Sequence, residues 1–232
     1  MIDVQVLASG SKGNCYRITD GKTPLLLECG IPWKQIQKAL NFNTDIAGCL
    51  ISHSHNDHCK AVKEVAKASI DLYMLEATRG QINATGHRIH IIEPLKQFAI
   101  GTWTILPFDT VHDVESVGYL LVNQSGERLL FITDTMYCKY HLFRDLTHIM
   151  VECNYSDDII RANVNAGVIT AELKNRIIQS HFSLANVKEF LKANDLSRVE
   201  GIWLIHLSDD NSDAERFKRE VQGLTGKPVY IA

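Results

Sequence analysis

Residues 51–59 read ISHSHNDHC, and four side chains of metal-binding type fall close together in this stretch: His53, His55, Asp57 and His58. They directly follow the apolar run GCLI, which is typical of a short buried strand. Polar groups packed this closely beside a core are costly unless something pairs them. Imidazole and carboxylate are the ligands of zinc and similar divalent ions, and one ion needs only three protein ligands plus water. The surplus therefore predicts two metal ions, although a histidine-rich solvated loop would read the same way in isolation.

Three later residues have the same character, and each ends an apolar, strand-like run. His112 follows ILPFDTV, Asp134 follows RLLFIT, and His206 follows GIWLI. Taken singly, Asp134 is typical of a turn and His206 of a core histidine. Because strand ends from adjoining sheets can meet at one rim, we expect all three to converge on the cluster at 53–58.

The length and composition fit a single globular unit. The chain has 232 residues, of which 45% are hydrophobic and 22% charged, as in ordinary globular proteins. The N-terminal stretch MIDVQVLASG has no basic region, and no apolar stretch is long enough to span a bilayer. These features predict a cytoplasmic protein without a membrane contact.

Charge and cysteine content restrict the partners further. Lys plus Arg number 24 against 27 Asp plus Glu, giving a net charge of −3 without any basic run. Proteins that hold long nucleic acids usually present a basic stripe, so a small substrate is favoured over a polymer. The six cysteines form no C-x-x-C pair and are expected to be reduced core residues. Cys59 beside His58 is either a helix residue or a neighbour of the ligands.

Strand and helix patterns alternate twice along the chain. Strands are predicted for VQVLAS, CYRIT, PLLLEC and GCLIS, for five runs between 70 and 134, and for HIMVEC, GIWLI and PVYIA. Helices are predicted after Pro32, over 58–69, over 166–179 and after the cap Ser183. A last helix is predicted from a Ser212–Glu215 capping box to Gly223. Two mixed sheets packed together and covered by helices would satisfy this order.

The ligand-type residues, taken together, resemble the metallo-β-lactamase superfamily. The stretches LASGSKGNCY, LFITDT, VECNYS and HFSLANV resemble its YycJ/WalJ branch, and phage anti-Pycsar cyclic-nucleotide phosphodiesterases are similar in size and layout. The resemblance implies a four-layer αββα sandwich forming one domain over residues 1–232, with two ions at one edge of the sheets. It also implies zinc, with manganese as the alternative, and a homodimer. The implied ligands are His53, His55 and His112 for one ion, Asp57, His58 and His206 for the other, and Asp134 as the bridge.

The position of Asp134 favours phosphoester chemistry. Antibiotic-cleaving members commonly have cysteine there, whereas an oxygen ligand resembles the phosphodiesterase and nuclease branches. Two divalent ions would activate water and neutralise charge on the phosphoryl oxygens, and Asp57 could orient that water. We therefore expect a phosphodiesterase acting on a cyclic mononucleotide, which in a phage would serve counter-defence. The alternatives are a DNA or RNA exonuclease of the YycJ/WalJ type and a non-catalytic metal-binding module.

Further residues are candidates for substrate contacts. His181 precedes a helix start and would either protonate the leaving oxygen or only pack against the cap. Asn14 in the GSKGN turn, Asn154 and Ser208 are predicted to contact substrate, the last two also as partners of the ligands. Aromatic candidates for stacking a base, with core packing as the alternative, are Tyr119, Tyr137 and Tyr155. Histidines without partners in the pattern, expected at the surface or in the core, are His87, His90, His141 and His148.

Overall fold

The computed structural model describes residues 1–140 and 143–232 and arranges the described strands in two sheets. His141, one of the histidines expected to have no role in the site, lies outside the described residues.

The first sheet begins antiparallel and becomes parallel. Its strands, hydrogen-bonded in chain order, are β1 (Asp3–Ala8), β2 (Cys15–Thr19), β3 (Leu25–Leu27), β4 (Gly48–Leu50), β5 (Leu72–Met74) and β6 (Ile89–Ile91). The pairs β1–β2 and β2–β3 are antiparallel, and those from β3 to β6 are parallel. The carboxyl ends of β3 and β4 therefore lie at the same edge.

The second sheet likewise begins antiparallel and becomes parallel along the chain. Its strands are β7 (Phe98–Ile100), β8 (Trp103–Asp109), β9 (Val117–Asn123), β10 (Arg128–Ile132), β11 (His148–Glu152), β12 (Gly201–Ile205) and β13 (Val229–Ile231). The strands β7 to β10 pair antiparallel, and β10 to β13 pair parallel. The predicted turn at 124–126 joins β9 to β10, with Gly126 at φ +80°.

The helices connect the strands on the outside of the sheets. They are α1 (Trp33–Ala39), α2 (Asn56–Cys59), α3 (Val62–Lys67), α4 (Glu76–Gln81), α5 (Asp157–Asn165), α6 (Ala171–Ser180), α7 (Leu184–Ala193) and α8 (Ala214–Thr225). Among the described residues, none of these helices combines the length and apolarity required to cross a membrane.

Side-chain alternation along the strands builds the four layers. In β10, Leu129 and Phe131 belong to the core between the sheets, whereas Leu130 and Ile132 pack with residues of α7 and α8. In β3 the central Leu26 points the other way, into the cluster formed with α1 and α3. Because successive side chains of a strand face opposite sides, both faces of each sheet are buried. The predicted single-domain αββα sandwich is confirmed.

The start of the last helix differs from the predicted capping box. Asp213, rather than Ser212, is the N-cap, and its Oδ1 accepts a 2.9 Å hydrogen bond from the backbone N–H of Arg216. The hydroxyl of Ser212 donates instead to the backbone oxygen of Ser208 at 2.6 Å. A carboxylate caps as well as a hydroxyl does, so the prediction was wrong by one residue.

Three other helix predictions require correction. The helix α8 ends at Gly226, whose φ of +65° gives the left-handed C-cap, and not at Gly223. The helix predicted over 166–179 begins only after its N-cap Thr170, and α5 before it was not predicted. The helix predicted over 58–69 is divided into α2 and α3.

The cysteines are core residues, as predicted. All six are free and buried. The thiol of Cys59 lies 3.2 Å from the backbone oxygen of Ser54 and 3.1 Å from that of His55. Cys59 therefore belongs to helix α2. It is not a member of any of the groups of described residues that could hold a metal.

Candidate metal centre

The candidate ligands lie where strands of both sheets end. His53 follows β4, His112 follows β8, Asp134 follows β10, and His206 follows β12. In α/β sheets, the carboxyl ends of the strands border the crevice in which ligands bind. The two sheets deliver these side chains to one shared edge, which confirms the expected convergence.

The potential ligand atoms form three overlapping groups, each with all its atoms within 4.8 Å of one another. Together the groups contain all seven implied ligands, and they add Glu152 and His181, of which His181 was predicted only as a proton donor or a packing residue. The groups are His53, His55, His112 and Asp134; Asp57, His58 and His206; and Asp134, Glu152, His181 and His206.

The hydrogen bonds of the first group leave ring nitrogens directed inward. Nδ1 of His53 is 2.8 Å from the Ser52 hydroxyl, while its buried Nε2 has no hydrogen-bond partner. Nδ1 of His112 donates to the backbone oxygen of Ser180 at 2.9 Å, so Nε2 carries the lone pair. That Nε2 lies 3.2 Å from Nδ1 of His55. An orphaned buried nitrogen beside two converging ones fits a metal ion, which accepts lone pairs from all three.

Asp134 occupies the middle of the cluster and is 2% exposed. Its Oδ2 lies 3.8 Å from Nε2 of both His53 and His112, and its Oδ1 lies 3.3 Å from Nε2 of His58. Burial raises the pKa of this carboxyl, but the His206 and His58 rings outweigh burial and hold the pKa well below its usual value. An ionised carboxylate with one oxygen toward each group has the placement required of a bridging ligand.

The second group is held by a carboxylate between two rings. Oδ2 of Asp57 lies 3.3 Å from Nε2 of both His58 and His206. Burial opposes ionisation of Asp57, yet hydrogen bonds from these rings hold the pKa of the carboxyl far below its usual value. Burial likewise disfavours the charged form of His206, but Asp134, Asp57 and Glu152 raise its pKa to about 10. The same concentration of negative charge would attract a divalent cation.

Two buried glutamates lie against the histidines and were not predicted from the sequence. Glu152 accepts hydrogen bonds through Oε1 from Nδ1 of His181 at 2.6 Å and from Nδ1 of His206 at 3.1 Å. Glu28 lies 3.6 Å from Nδ1 of His58. Both are completely buried. The signal was present in the sequence, since each glutamate ends an apolar run and precedes a cysteine, in LLLEC and in HIMVEC.

Three residues of the site adopt left-handed backbone conformations. The φ angles are +62° for Glu28, +38° for Asp134 and +53° for His206. Glu28 and His206 directly follow β3 and β12, and Asp134 comes after Thr133 beyond the end of β10. Non-glycine residues in this region cost roughly 1–3 kcal/mol each and concentrate at functional sites. The sharp turn after the strand directs each side chain into the cluster.

The GSKGN turn lies beneath the turn that carries Asp57. The backbone N–H of Asn14 donates to the backbone oxygen of Asp57 at 2.7 Å. A Cβ on Gly30 would lie 1.6 Å from that same oxygen, so the close approach requires glycine. The Asn14 side chain is fully buried, and its amide nitrogen lies 3.3 Å from Nε2 of His58. The predicted substrate contact of Asn14 is therefore wrong, because the side chain braces the ligands from behind.

A cavity of about 500 Å³ opens above the cluster. Asn154 and Ser208, predicted to contact substrate, both line it, and the amide of Asn154 donates to the backbone oxygen of His206 at 3.0 Å. Residues of the ligand groups that border the cavity are His55, Asp57, His112, Asp134, His181 and His206.

The described residues that line this cavity include none of the tyrosines proposed for base stacking. Tyr119 is fully buried and donates its hydroxyl to the Ile51 backbone oxygen at 2.6 Å, and Tyr155 is 3% exposed. Stacking is therefore wrong for these two, and core packing is the correct alternative. Tyr137 is exposed but lies away from the cavity wall.

His181 lies at the cavity with one face on the ligand cluster. Its ring stacks on that of His206, with centroids 5.4 Å apart and an interplanar angle of 15°. Burial lowers the pKa of His181, but Glu152 outweighs this effect and raises it above the ordinary value. The position suits either a proton donor or a further metal ligand.

Comparisons with known proteins agree with this geometry. Residues 25–207 match the beta-lactamase superfamily domain. Exodeoxyribonuclease WalJ of Streptococcus pneumoniae is 28% identical over 229 residues, covering 90% of this chain and 83% of that protein. Exodeoxyribonuclease YycJ of Bacillus anthracis is 27% identical over 235 residues, covering 93% and 86%. The crystal structure of the metallo-beta-lactamase fold protein YhfI from Bacillus subtilis has a TM-score of 0.78 at 16% identity, covering 100% of this chain and 96% of that one. The chain belongs to the beta-lactamase superfamily and is a metal-dependent hydrolase.

Proposed function

We propose that this hydrolase is a phosphodiesterase that removes single nucleotides from the ends of DNA. The observation that carries the proposal is the cavity of about 500 Å³ directly above a cluster of nitrogen and oxygen ligands. A pocket of this volume holds a drug-sized ligand, so it would admit one nucleotide but not a duplex. Terminal rather than internal cleavage is supported by the relatives named exodeoxyribonucleases. The same relatives support DNA as the substrate.

The donor set suits two divalent ions, zinc or manganese, since neutral imidazole and carboxylate bind both. His53, His55 and His112 would hold one ion, Asp57, His58 and His206 the other, and Asp134 would lie between them. When bound, such ions lower the pKa of water and neutralise charge on phosphoryl oxygens. The glutamates Glu28 and Glu152 would keep the rings oriented.

Two residues of the chain would handle the water and the leaving group. Asp57, whose side chain is 25% exposed at the cavity, would accept a hydrogen bond from the water that attacks phosphorus. The bond from phosphorus to the departing oxygen then breaks, and His181 would give its proton to that oxygen. Glu152, 2.6 Å from Nδ1 of His181, holds the ring in place for this transfer.

A cyclic mononucleotide is the second candidate, and the charge of the cavity favours it. Among the described residues that line the cavity, Arg176 is the only lysine or arginine, whereas four aspartates line it, Asp57, Asp113, Asp134 and Asp210. Long nucleic acids gain affinity from several cationic contacts, whereas a cyclic mononucleotide presents one diester to the ligands. Cleavage of a cyclic mononucleotide, expected from the sequence, therefore remains a prediction. DNA ends are the preferred substrate in this proposal because the relatives are named exodeoxyribonucleases.

A substrate comparison tests the proposal. Metal-loaded protein is incubated with end-labelled linear single-stranded DNA, with covalently closed circular DNA of the same sequence, and with 3′,5′-cyclic mononucleotides. We expect mononucleotides from the linear DNA, none from the circle, and slower cleavage of the cyclic compounds.

Each alternative predicts a different pattern. Intact linear DNA together with complete conversion of the cyclic compounds would establish the second candidate instead. Cleavage of the circle would exclude an end-directed enzyme. The variant Asp134→Ala is the control for contaminating nucleases, since loss of the central carboxylate should remove activity on every substrate.

A further inference from the structure

The side of α6 that borders the cavity carries the aliphatic side chains of Leu173 and Ile177 together with Arg176 and Ser180. Of the residues in α6, only Ser180 is buried. Leu173 is 36% exposed, and Ile169 and Ile177 are half-buried. All three line the cavity. Leu173 and Ile177 are four residues apart and so lie on one face of the helix. Apolar side chains left exposed in a concave site mark a ligand contact more often than a defect.

The position of this face is fixed relative to the ligand cluster. The backbone oxygen of Ser180, the last residue of α6, accepts the 2.9 Å hydrogen bond from His112. The other end of the helix is capped by Thr170, whose side chain accepts from the Leu173 backbone N–H at 3.2 Å. At a rise of 1.5 Å per residue, Leu173 lies about 10 Å along the helix from Ser180. That span is comparable to the distance from a phosphate to the far edge of its own base.

We propose that the aliphatic wall formed by Ile169, Leu173 and Ile177 binds the base of the nucleotide whose phosphodiester is cleaved. The inference rests on the proposed phosphodiesterase function and deepens it. The wall is continuous with the ligand cluster within one cavity, so a phosphate at the cluster places its nucleoside along α6. Aliphatic groups contact the face of any base without reading its hydrogen-bonding edge. The enzyme therefore gains affinity from the base while discriminating little between bases.

Two chromogenic diesters isolate the contribution of the base. Thymidine 5′-(p-nitrophenyl phosphate) and methyl p-nitrophenyl phosphate both lose p-nitrophenolate when water attacks phosphorus, and they differ only in nucleoside against methyl. We expect the metal-loaded wild-type protein to show the higher kcat/KM for the thymidine ester. In Leu173→Ala the ratio of the two kcat/KM values should fall, mainly through KM, by roughly tenfold, the scale of one or two lost methylene contacts.

A matched control separates this effect from general loss of fold. Leu224 on α8 is also 36% exposed and lies outside the residues lining the cavity, so Leu224→Ala should leave the ratio unchanged. An unchanged ratio in Leu173→Ala would overturn the inference. So would conversion of a dimer to monomer in Leu173→Ala with the ratio unchanged, because the wall would then be a subunit contact.

The wild-type protein also distinguishes the two levels of the proposal. Equal kcat/KM for both esters would overturn the role of the wall while the phosphodiesterase activity stands. Hydrolysis of neither ester, with the protein loaded with metal, would overturn the phosphodiesterase function and the inference with it.

Discussion

Glu152 connects the residues whose roles matter most to the chemistry. Its Oε1 contacts both His181 and His206, while its Oε2 accepts backbone N–H groups of Thr135 and Phe182 at 3.0 Å. A buried carboxylate with four partners holds its neighbours in fixed orientations. Glu152 thus orients both His181, a candidate proton donor, and His206, a candidate ligand. Substitution of His181 alone distinguishes their roles.

Replacing His181 by alanine separates these roles. If His181 donates a proton to the leaving oxygen, kcat should fall roughly 10²–10⁴-fold while the metal content stays unchanged. The measurement is steady-state release of mononucleotides from linear single-stranded DNA, whose departing sugar oxygen needs a proton whereas p-nitrophenolate does not, alongside elemental analysis of the same preparation. Loss of one ion in His181→Ala would instead make it a ligand, and a wild-type rate would leave it only a structural role.

Residue types, more than their surroundings, could be predicted from the sequence. His53, His55 and Asp134 were recognisable because few structures other than a metal site place such side chains together after apolar strands. The sequence assigns Asn14 to the substrate because the GSKGN turn could present its backbone N–H groups there. The burial of Asn14 depends on the close approach of Gly30 to the Asp57 turn, which is a contact between distant segments and leaves no local pattern.

At the scale of elements, the turns that connect strands to helices control the site. The turn at 55–58 is tied to the strands by the backbone bonds from Asn14 to Asp57 and from Cys29 to His58, of 2.7 and 2.8 Å. A shift of this turn would move two candidate ligands at once. Its position depends on how closely the neighbouring backbone can approach.

Gly30→Ala tests that dependence. The added methyl group would overlap the Asp57 backbone, so we expect the turn to move, the ion at Asp57 and His58 to be lost, and hydrolysis to fall at least about 100-fold, as for a misplacement of about 1 Å. Gly80→Ala is the matched control, because a Cβ there meets nothing within 4 Å and alanine favours the helix. Wild-type metal content in Gly30→Ala would show that the turn tolerates displacement.

Element types were easier to predict than element ends. The strands of the second sheet follow from their apolar runs, and Ser183 caps α7 as expected by accepting from the Asn186 N–H at 3.1 Å. The segment of α5 was missed because its polar residues face solvent and only Ile160 is buried. The predicted end of α8 was wrong because both Gly223 and Gly226 could end the helix, and only Gly226 adopts the left-handed conformation.

At the scale of the whole molecule, titration away from the metal centre should influence stability. His148 at the start of β11 is 4% exposed and stacks on Trp203, with centroids 5.8 Å apart. Burial lowers its pKa below the ordinary value, so the unfolded chain binds its proton first as the pH falls. Stability therefore decreases as the pH falls below about 6.5 and is unaffected by this residue above that pH.

His148→Phe should weaken this acid-side dependence while keeping the aromatic contact. The measurement is urea unfolding of both proteins between pH 5 and 7.5 at the same metal concentration. As the pH falls, we expect the free energy of unfolding to decrease more for the wild type than for the variant. A constant difference across that range would mean that His148 does not titrate differently in the folded state.

The layered architecture could be predicted because the alternation of apolar residues along the strands and the order of strands and helices both indicate it. The meeting of the two sheets at one edge was only an expectation, since it depends on the packing angle of the sheets. The substrate was the least accessible feature, because net charge describes the whole surface and not the cavity. The cavity instead combines one arginine, four aspartates and an aliphatic wall.

Metal stoichiometry followed together with hydrolysis tests the central claim most directly. Chelated protein is titrated with zinc or manganese while bound metal per chain and cleavage of thymidine 5′-(p-nitrophenyl phosphate) are recorded. Activity should rise to a plateau near two ions per chain in the wild type. Asp57→Ala should retain about one ion, and Asp134→Ala should lose both, because its carboxylate lies within reach of both groups. Full activity of the chelated wild-type protein, or a plateau at two ions in Asp134→Ala, would contradict the account.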